Sequence, residues 1–164
     1  MASTSRERNP LPRPDRRRPT AGAGAPVAFG SMTIDGEDDL RGLERAGRAV
    51  AEARDAMLAA AAPGVTTADL DAIGRDVLRA HGARSAPQLA AGFPAATCVS
   101  VNDEAAHGIL SPTRVLRAGD LVNVDVSAEL DGYWADTGAS APVGPPESID
   151  PVARRLVHAT REAQ

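Results

Sequence analysis

The feature that most constrains the fold is an Asp-Gly pair between two alternating segments. Asp131-Gly132 follows the segment 121–130 and precedes a second segment that begins at Tyr133. Both central residues of a type I′ turn need positive φ, and Asp and Gly tolerate this conformation. The sequence therefore predicts an antiparallel hairpin in which Leu130 pairs with Tyr133.

This register places two aspartates on one face of the hairpin. Ser127 then lies opposite Asp136, and Asp125 lies diagonally across from Asp136. Opposed residues share a face, and so do residues two apart on a strand. Diagonal neighbours are about 7–8 Å apart, which carboxylates can close over two divalent ions spaced roughly 3.5–4 Å. Asp125 and Asp136 are therefore candidate metal ligands.

An ordinary solvated face explains the same alternation. The even-numbered residues of the first strand form an apolar face, and the odd-numbered residues form a polar one. Antiparallel sheets commonly expose one face to water. On the alternation alone, solvated aspartates are the simpler interpretation. The polar positions are Asn123, Asp125, Ser127 and Glu129.

Composition divides the chain into two parts. Residues 1–31 are rich in Pro, Arg, Gly and Ala without periodicity, and we expect them to be a disordered tail. They hold six arginines against Glu7 and Asp15, a balance of +4, so the total net charge of −4 leaves −8 on residues 32–164. Residues 32–164 should form one folded domain without a basic surface for nucleic acid.

The tail and the cysteine content bear on localisation. Arg16-Arg17-Arg18 is not followed by an apolar stretch typical of an export signal, so we favour a solvated basic tail; contact with a ribosome is an alternative. Met32 is an alternative start. The single cysteine fits a reducing, cytoplasmic compartment. The sequence contains no run of about 18 apolar residues, so it predicts no membrane-spanning helix.

Helical patterns flank the hairpin, which predicts an α+β fold. A first amphipathic helix ends before Pro63-Gly64, and a second begins at a capping box, Thr66 to Asp69, and ends near Gly82. Residues 96–102 are typical of a strand, and a last helix begins at Asp150-Pro151. The apolar positions of the first helix are Leu40, Leu43, Ala46, Val50, Ala53 and Met57.

Three separated segments together resemble the type I methionine aminopeptidases. They are residues 92–108, which include His107, and residues 114–125 and 131–137, which include the two aspartates. The likeness extends over about residues 33–164. Agreement of several motifs in order and spacing favours the metal site over the solvated face. It implies the pita-bread fold, of which this chain would form about one half.

The resemblance also implies a chemistry, removal of the initiator methionine from nascent proteins whose second residue is small. Asp125 and Asp136 would bind two divalent ions, Co, Mn, Fe or Zn, which activate a shared water and polarise the scissile carbonyl. His107 would contact the substrate peptide. Phe93 and Cys98 would line the methionine pocket, where a ring and a thiol suit a thioether; for Cys98, a plain buried strand position is the alternative.

Three residues depart from the usual pattern of that family. Ala90 stands where an aromatic residue is frequent, which would widen the pocket and relax its selectivity. Trp134 replaces a common His two residues before Asp136, and Ala141 replaces a common Phe on the outgoing strand. The first two would alter the rim of the pocket, and the third would loosen packing.

The rest of the metal shell has no clear counterpart in the sequence. The family completes it with a His and two Glu from a C-terminal half, whereas downstream of Asp136 this chain offers Glu147, His158 and Glu162. His158 and Glu162 are better explained as an exposed i,i+4 pair. We therefore expect an incomplete chain that binds metal weakly and has little or no activity.

Two other functions remain open at this point. The chain could be a relative of the Xaa-Pro aminopeptidases, although the short N-terminal extension and the His107-Gly108 context disfavour this. It could also be a non-catalytic module that keeps the pocket and holds nascent N-termini. A downstream His and two Glu would favour the enzyme over the module.

Overall fold

The computed structural model describes residues 34–163; the predicted tail, residues 1–31, lies outside them. The described part combines helices with one antiparallel sheet, as the predicted α+β class requires. In chain order the elements are α1 (Glu37–Ala60), α2 (Thr67–Ala80), β1 (Arg84–Ser85), α3 (Ala86–Ala91), β2 (Cys98–Val101), β3 (Leu121–Leu130), β4 (Tyr133–Pro142), a 3-10 turn (Pro146–Ser148) and α4 (Pro151–Ala163). None of these helices is both long and apolar enough to cross a bilayer.

The hairpin forms in the predicted register. Leu130 lies opposite Tyr133 and Ser127 lies opposite Asp136. Both turn residues have positive φ, 53° at Asp131 and 91° at Gly132. The positive φ values that a type I′ turn requires are therefore found at both residues of the Asp-Gly pair.

The long strand β3 is the centre of the sheet. It pairs with β4 along one edge and with both β1 and β2 along the other, always antiparallel. The strand predicted at 96–102 is shorter than expected, at Cys98–Val101. The two-residue strand β1 and the six-residue helix α3 were not predicted, because elements this short carry no periodic signal.

The core lies on the even-numbered face of β3. Val122, Val124, Val126 and Ala128 are fully buried and form one cluster with residues of α1 and α2. The predicted apolar stripe of α1 is confirmed over most of its length, but Leu40 is 39 % exposed near the start of the helix. The odd-numbered face of β3 is thereby left for polar side chains.

The predicted helix ends are confirmed. Thr66 Oγ1 accepts a hydrogen bond from the Asp69 backbone N–H at 3.1 Å, and the Asp69 carboxylate accepts one from the Thr66 N–H at 3.0 Å. Gly82, with φ of 73°, follows the end of α2. Asp150 accepts a hydrogen bond from the Val152 N–H at 2.7 Å in the first turn of α4.

Glu129 departs from the predicted polar face, because its carboxylate is buried. Only 5 % of the residue is exposed. The carboxylate accepts a hydrogen bond from Arg84 Nε at 2.7 Å and another from the Gly132 N–H at 2.6 Å. Glu129 thus joins strand β1 to the hairpin turn. The Arg84 hydrogen bond, and then the Gly132 N–H, lower the pKa of Glu129.

This depressed pKa predicts a pH-dependent contribution to stability. Between the folded pKa and the ordinary value of 4.5, the unfolded chain binds the proton and the folded chain does not. The contribution of Glu129 is therefore fully present above 4.5 and is lost as the pH falls through the folded pKa. In urea titrations from pH 7 downward, Glu129→Gln should be less stable than wild type at pH 7, with a gap that narrows below pH 4.5.

The matched control is Glu37→Gln, since the Glu37 side chain is 80 % exposed and lies 3.8 Å from Arg41. Its difference from wild type should be small at every pH. A Glu129→Gln deficit that stays constant down to acid pH would contradict the assignment.

Candidate metal centre

The two predicted metal ligands lie together on the hairpin face opposite the core. Asp125 is half-buried and faces Gly138 across the strands, whereas Asp136 is exposed and faces Ser127. Ser127 Oγ donates a hydrogen bond to Asp136. Sequence analysis placed Ser127 opposite Asp136 but gave it no role, although the register was sufficient to suggest this hydrogen bond.

The two carboxyl groups act directly on one another. Burial raises the pKa of Asp125, and the negative charge of Asp136 raises it further. The positive potential of His107 partly opposes these effects. A cation between the carboxylates would relieve the repulsion that a proton relieves at low pH.

His107 is brought to the edge of this centre by a constrained loop. The residue is exposed and has a φ of 54°, a conformation that is uncommon for residues other than glycine. The next residue, Gly108, donates its N–H to the buried Ser100 Oγ at 3.1 Å. A Cβ at Gly108 would lie 2.2 Å from the Val99 carbonyl oxygen, so the loop rests directly on β2. Ser100 was not predicted, because no local pattern indicates that the His107 loop returns to β2.

Cys98 lies beside Asp125, directly opposite it in the β2–β3 register. It is 5 % exposed. Burial raises the pKa of its thiol to about 11, with further contributions from the charges of Asp125, Asp71 and Asp136. The thiol is therefore neutral at physiological pH, which suits a pocket wall better than a metal ligand. Its buried strand position is confirmed, and its role in the pocket stays a prediction.

A groove runs from α3 to the second aspartate. Its walls are largely apolar, and it has a volume of about 410 Å³. Ala90 and Trp134, two of the departures noted above, both line it, and Trp134 is 52 % exposed. Phe93 is half-buried just after α3 and donates its N–H to the carbonyl of Pro87, another lining residue. We call this the α3 groove; its lining residues are Ala86, Pro87, Ala90, Ser127, Trp134, Ala135 and Asp136.

The donor set fits part of a metal shell. Carboxylate oxygens suit Mn²⁺, Fe²⁺, Co²⁺ and Zn²⁺, and Asp125 and Asp136 supply them from one face. Within residues 34–163, however, no group of three or more His, Cys, Asp or Glu could hold a metal ion. His158 Nδ1 lies 3.2 Å from Glu162 on the surface of α4, which confirms the predicted i,i+4 pair. Glu147 is exposed in the 3-10 turn.

Comparison of the sequence with protein-family models identifies the family of this chain. The model of metallopeptidase family M24 matches residues 41–164. The chain belongs to metallopeptidase family M24. The match includes most of α1, the whole sheet and both aspartates, so this family accounts for the fold that positions the site.

Relatives in family M24 carry a more specific name. The chain is 52 % identical over 113 residues to methionine aminopeptidase 2 of Bacillus subtilis, an alignment that covers 69 % of this chain and 45 % of the relative. It is 50 % identical over 125 residues to the methionine aminopeptidase of Staphylococcus epidermidis, covering 76 % and 49 %. The chain thus spans about half the length of these curated relatives.

Solved structures of M24 proteins confirm the pita-bread fold. Methionine aminopeptidase from Rickettsia prowazekii superposes with a TM-score of 0.73 at 34 % identity, covering 80 % of this chain and 51 % of that one. The Thermotoga maritima methionine aminopeptidase gives 0.74 at 32 % identity, with coverages of 79 % and 51 %. Prolidase from Pyrococcus furiosus, at 21 % identity, 0.65 and coverages of 80 % and 36 %, shares the fold alone.

The contact of Gly108 with β2 predicts a large effect of a small substitution. In Gly108→Ala the added methyl group would meet the backbone of Val99 and Ser100, which cannot rotate away. We expect a loss of roughly 1–3 kcal/mol in the free energy of unfolding, measured by urea titration, and a displaced His107 ring, measured by NMR.

Gly47→Ala in α1 is the control, because no atom lies within 4 Å of its added Cβ. This helical change should stabilise the protein by roughly 0.5–1 kcal/mol. Equal effects of the two substitutions would contradict the tight seating of the His107 loop.

Proposed function

We propose that this chain contributes the metal-binding hairpin of a methionine aminopeptidase, which removes the initiator methionine from nascent proteins with a small second residue. The observation that carries the proposal is the hairpin register, which places Asp125 and Asp136 on one face with Ser127 opposite Asp136. The names of relatives at 50–52 % identity support the substrate. Nascent peptide N-termini are then the partner.

Each site residue has a distinct part in this proposal. Asp125 and Asp136 hold two divalent ions, Co, Mn, Fe or Zn, which supply an activated water and a polarised carbonyl when bound. His107 donates a hydrogen bond to the substrate peptide from the rim of the site. Phe93 and the neutral Cys98 thiol contact the methionine thioether.

The number of ligands limits what this polypeptide can do alone. Two carboxylates are fewer than the donors that a stable divalent-metal site in a protein ordinarily uses. Since residues 34–163 contain no group of three suitable donors, we expect weak cation binding and slow hydrolysis at best. The alternative is a non-catalytic module that binds nascent N-termini through the α3 groove.

Three further predictions concern the class of peptidase, the tail and the location of the protein. Prolidase and aminopeptidase P structures resemble this chain at 21–24 % identity, which supports the shared fold and gives the Xaa-Pro alternative no further support. A ribosome contact of the basic tail concerns residues outside the described part. A cytoplasmic location stays a prediction from the single cysteine.

The metal assignment predicts cation-dependent stability. Mn²⁺ at 100 times its dissociation constant should add about 2.7 kcal/mol to the free energy of unfolding, and a chelator should reverse this gain. Asp125→Asn and Asp136→Asn should each abolish the gain in thermal-shift titrations. Asp55→Asn is the control, because the 65 % exposed Asp55 pairs with Arg54 on α1. Full cation dependence in Asp136→Asn would refute the site.

Peptide binding and hydrolysis separate the enzyme from the binding module. Trp134 is the single tryptophan of the chain and lines the α3 groove, so its fluorescence should respond to a Met-Ala-Ser peptide more than to Gly-Ala-Ser. With Co²⁺ or Mn²⁺ present, we expect slow release of methionine that Asp136→Asn abolishes. Binding without release would support the module, and no response to either peptide would count against both functions.

A further inference from the structure

Asp71 is a buried carboxylate outside the metal centre. It lies on α2 next to the fully buried Leu70, and only 3 % of the residue is exposed. A carboxylate in such a position needs hydrogen-bond donors, because removing it from water is costly. The groups that donate hydrogen bonds to Asp71 therefore identify the segment that this carboxylate fixes.

The donors to one oxygen all come from the segment that leads into β2. Oδ1 of Asp71 accepts hydrogen bonds from the Ala96 N–H at 3.0 Å, the Thr97 N–H at 2.8 Å and Thr97 Oγ1 at 2.8 Å. The other oxygen lies 3.4 Å from Arg75 Nη1. Ala96 and Thr97 are buried but lie outside the strands. The carboxylate thus accepts hydrogen bonds from buried backbone N–H groups that lie outside the β-sheet.

A second set of contacts fixes the same segment from other directions. Ser85 Oγ donates to the Ala96 carbonyl oxygen at 2.8 Å, so side chains bind both the N–H and the C=O of Ala96. Thr97 lies close against α2 at Gly74, where an added Cβ would be 3.1 Å from Thr97 Cγ2. These anchors leave the segment between α3 and β2 little freedom.

We propose that Asp71 is a positioning residue for the predicted methionine pocket, because it anchors Ala96 and Thr97. Phe93 lies three residues before Ala96, and Cys98 directly follows Thr97. A shift of the anchored segment therefore moves both pocket walls. It also moves the strand position opposite Asp125. The role of the pocket rests on the proposed function, whereas the anchoring of the segment does not.

Two neutral variants separate the hydrogen bonds from the charge. Asp71→Asn keeps an oxygen acceptor in place of Oδ1, and Asp71→Ala removes it. Both lose the negative charge that acts on Cys98, so any difference between them reports the hydrogen bonds. Arg75→Gln is the control for the second oxygen, because the Arg75 side chain is 53 % exposed.

The readout is the rate at which a disulfide reagent, DTNB, modifies Cys98, the single cysteine of the chain. We expect modification to be roughly tenfold faster in Asp71→Ala than in Asp71→Asn, as loss of several buried hydrogen bonds implies. Arg75→Gln should stay near the wild-type rate. Thr97→Val removes one hydrogen-bond donor to Asp71 with little change in shape, and it should raise the modification rate less than Asp71→Ala. If Asp71→Ala does not fold, the rate of Thr97→Val tests the anchor in its place.

Global stability is measured on the same variants by urea titration. Modification that rises only in proportion to the globally unfolded fraction would overturn the proposal, and so would equal rates in Asp71→Ala and Asp71→Asn or an unchanged rate in Thr97→Val. A local increase without matching loss of global stability supports it.

A peptide arm distinguishes the two levels of inference. Met-Ala-Ser should slow modification of wild-type Cys98, and its affinity should fall in Asp71→Ala but remain near the wild-type value in Asp71→Asn. If the peptide gives no protection to the wild type, the pocket assignment fails together with the proposed function. The rate difference between Asp71→Ala and Asp71→Asn would in that case still establish the anchor.

Discussion

The pairing of β3 with β4 is the constraint on which the rest of the structure depends. Each of the other three strands forms its hydrogen bonds with β3, whose even-numbered face is also the sheet side of the core. A slip of one residue at the Asp131-Gly132 turn would exchange the two faces of one strand. Contacts on both sides of the turn oppose such a slip, since Glu129 binds the Gly132 N–H and the Tyr133 hydroxyl donates to Asp39 of α1.

The two faces of β3 have different roles, one in stability and the other in the proposed metal site. Its buried valines hold α1 and α2, while the opposite face carries Asp125 beside Asp136 at a cost in electrostatic free energy. The positive φ of His107 adds backbone strain at the same place. A site with these properties persists only on a rigid support, and a sheet strand with a fully packed second face is such a support.

Sequence patterns predicted what local rules determine. The turn register, the capping box at Thr66 and the alternation of β3 all follow from neighbouring residues, and each is confirmed. The burial of Glu129 was missed because its partner Arg84 is 45 residues away in the chain. Asp71 was missed for the same reason, since the backbone groups that it binds are 25 and 26 residues distant. For the site, the two aspartates could be placed from the hairpin register and Cys98 from the strand pattern at 96–102, but the α3 groove depends on a helix too short to predict.

The electrostatics of the aspartate pair favour a metal site over a solvated face, a choice that the alternation of the strand left open. A solvated carboxylate on an open sheet face would keep its ordinary pKa of 3.8, whereas burial and Asp136 raise the pKa of Asp125. A raised folded pKa means that stability falls as the pH rises from 3.8 through that pKa, so the cost is fully present above the folded pKa. His107 offsets only part of it. Above that pKa no proton is bound, and a divalent ion would remove the cost instead. Cation and proton therefore compete for the same oxygens, and the advantage of the cation grows as the pH rises through that pKa.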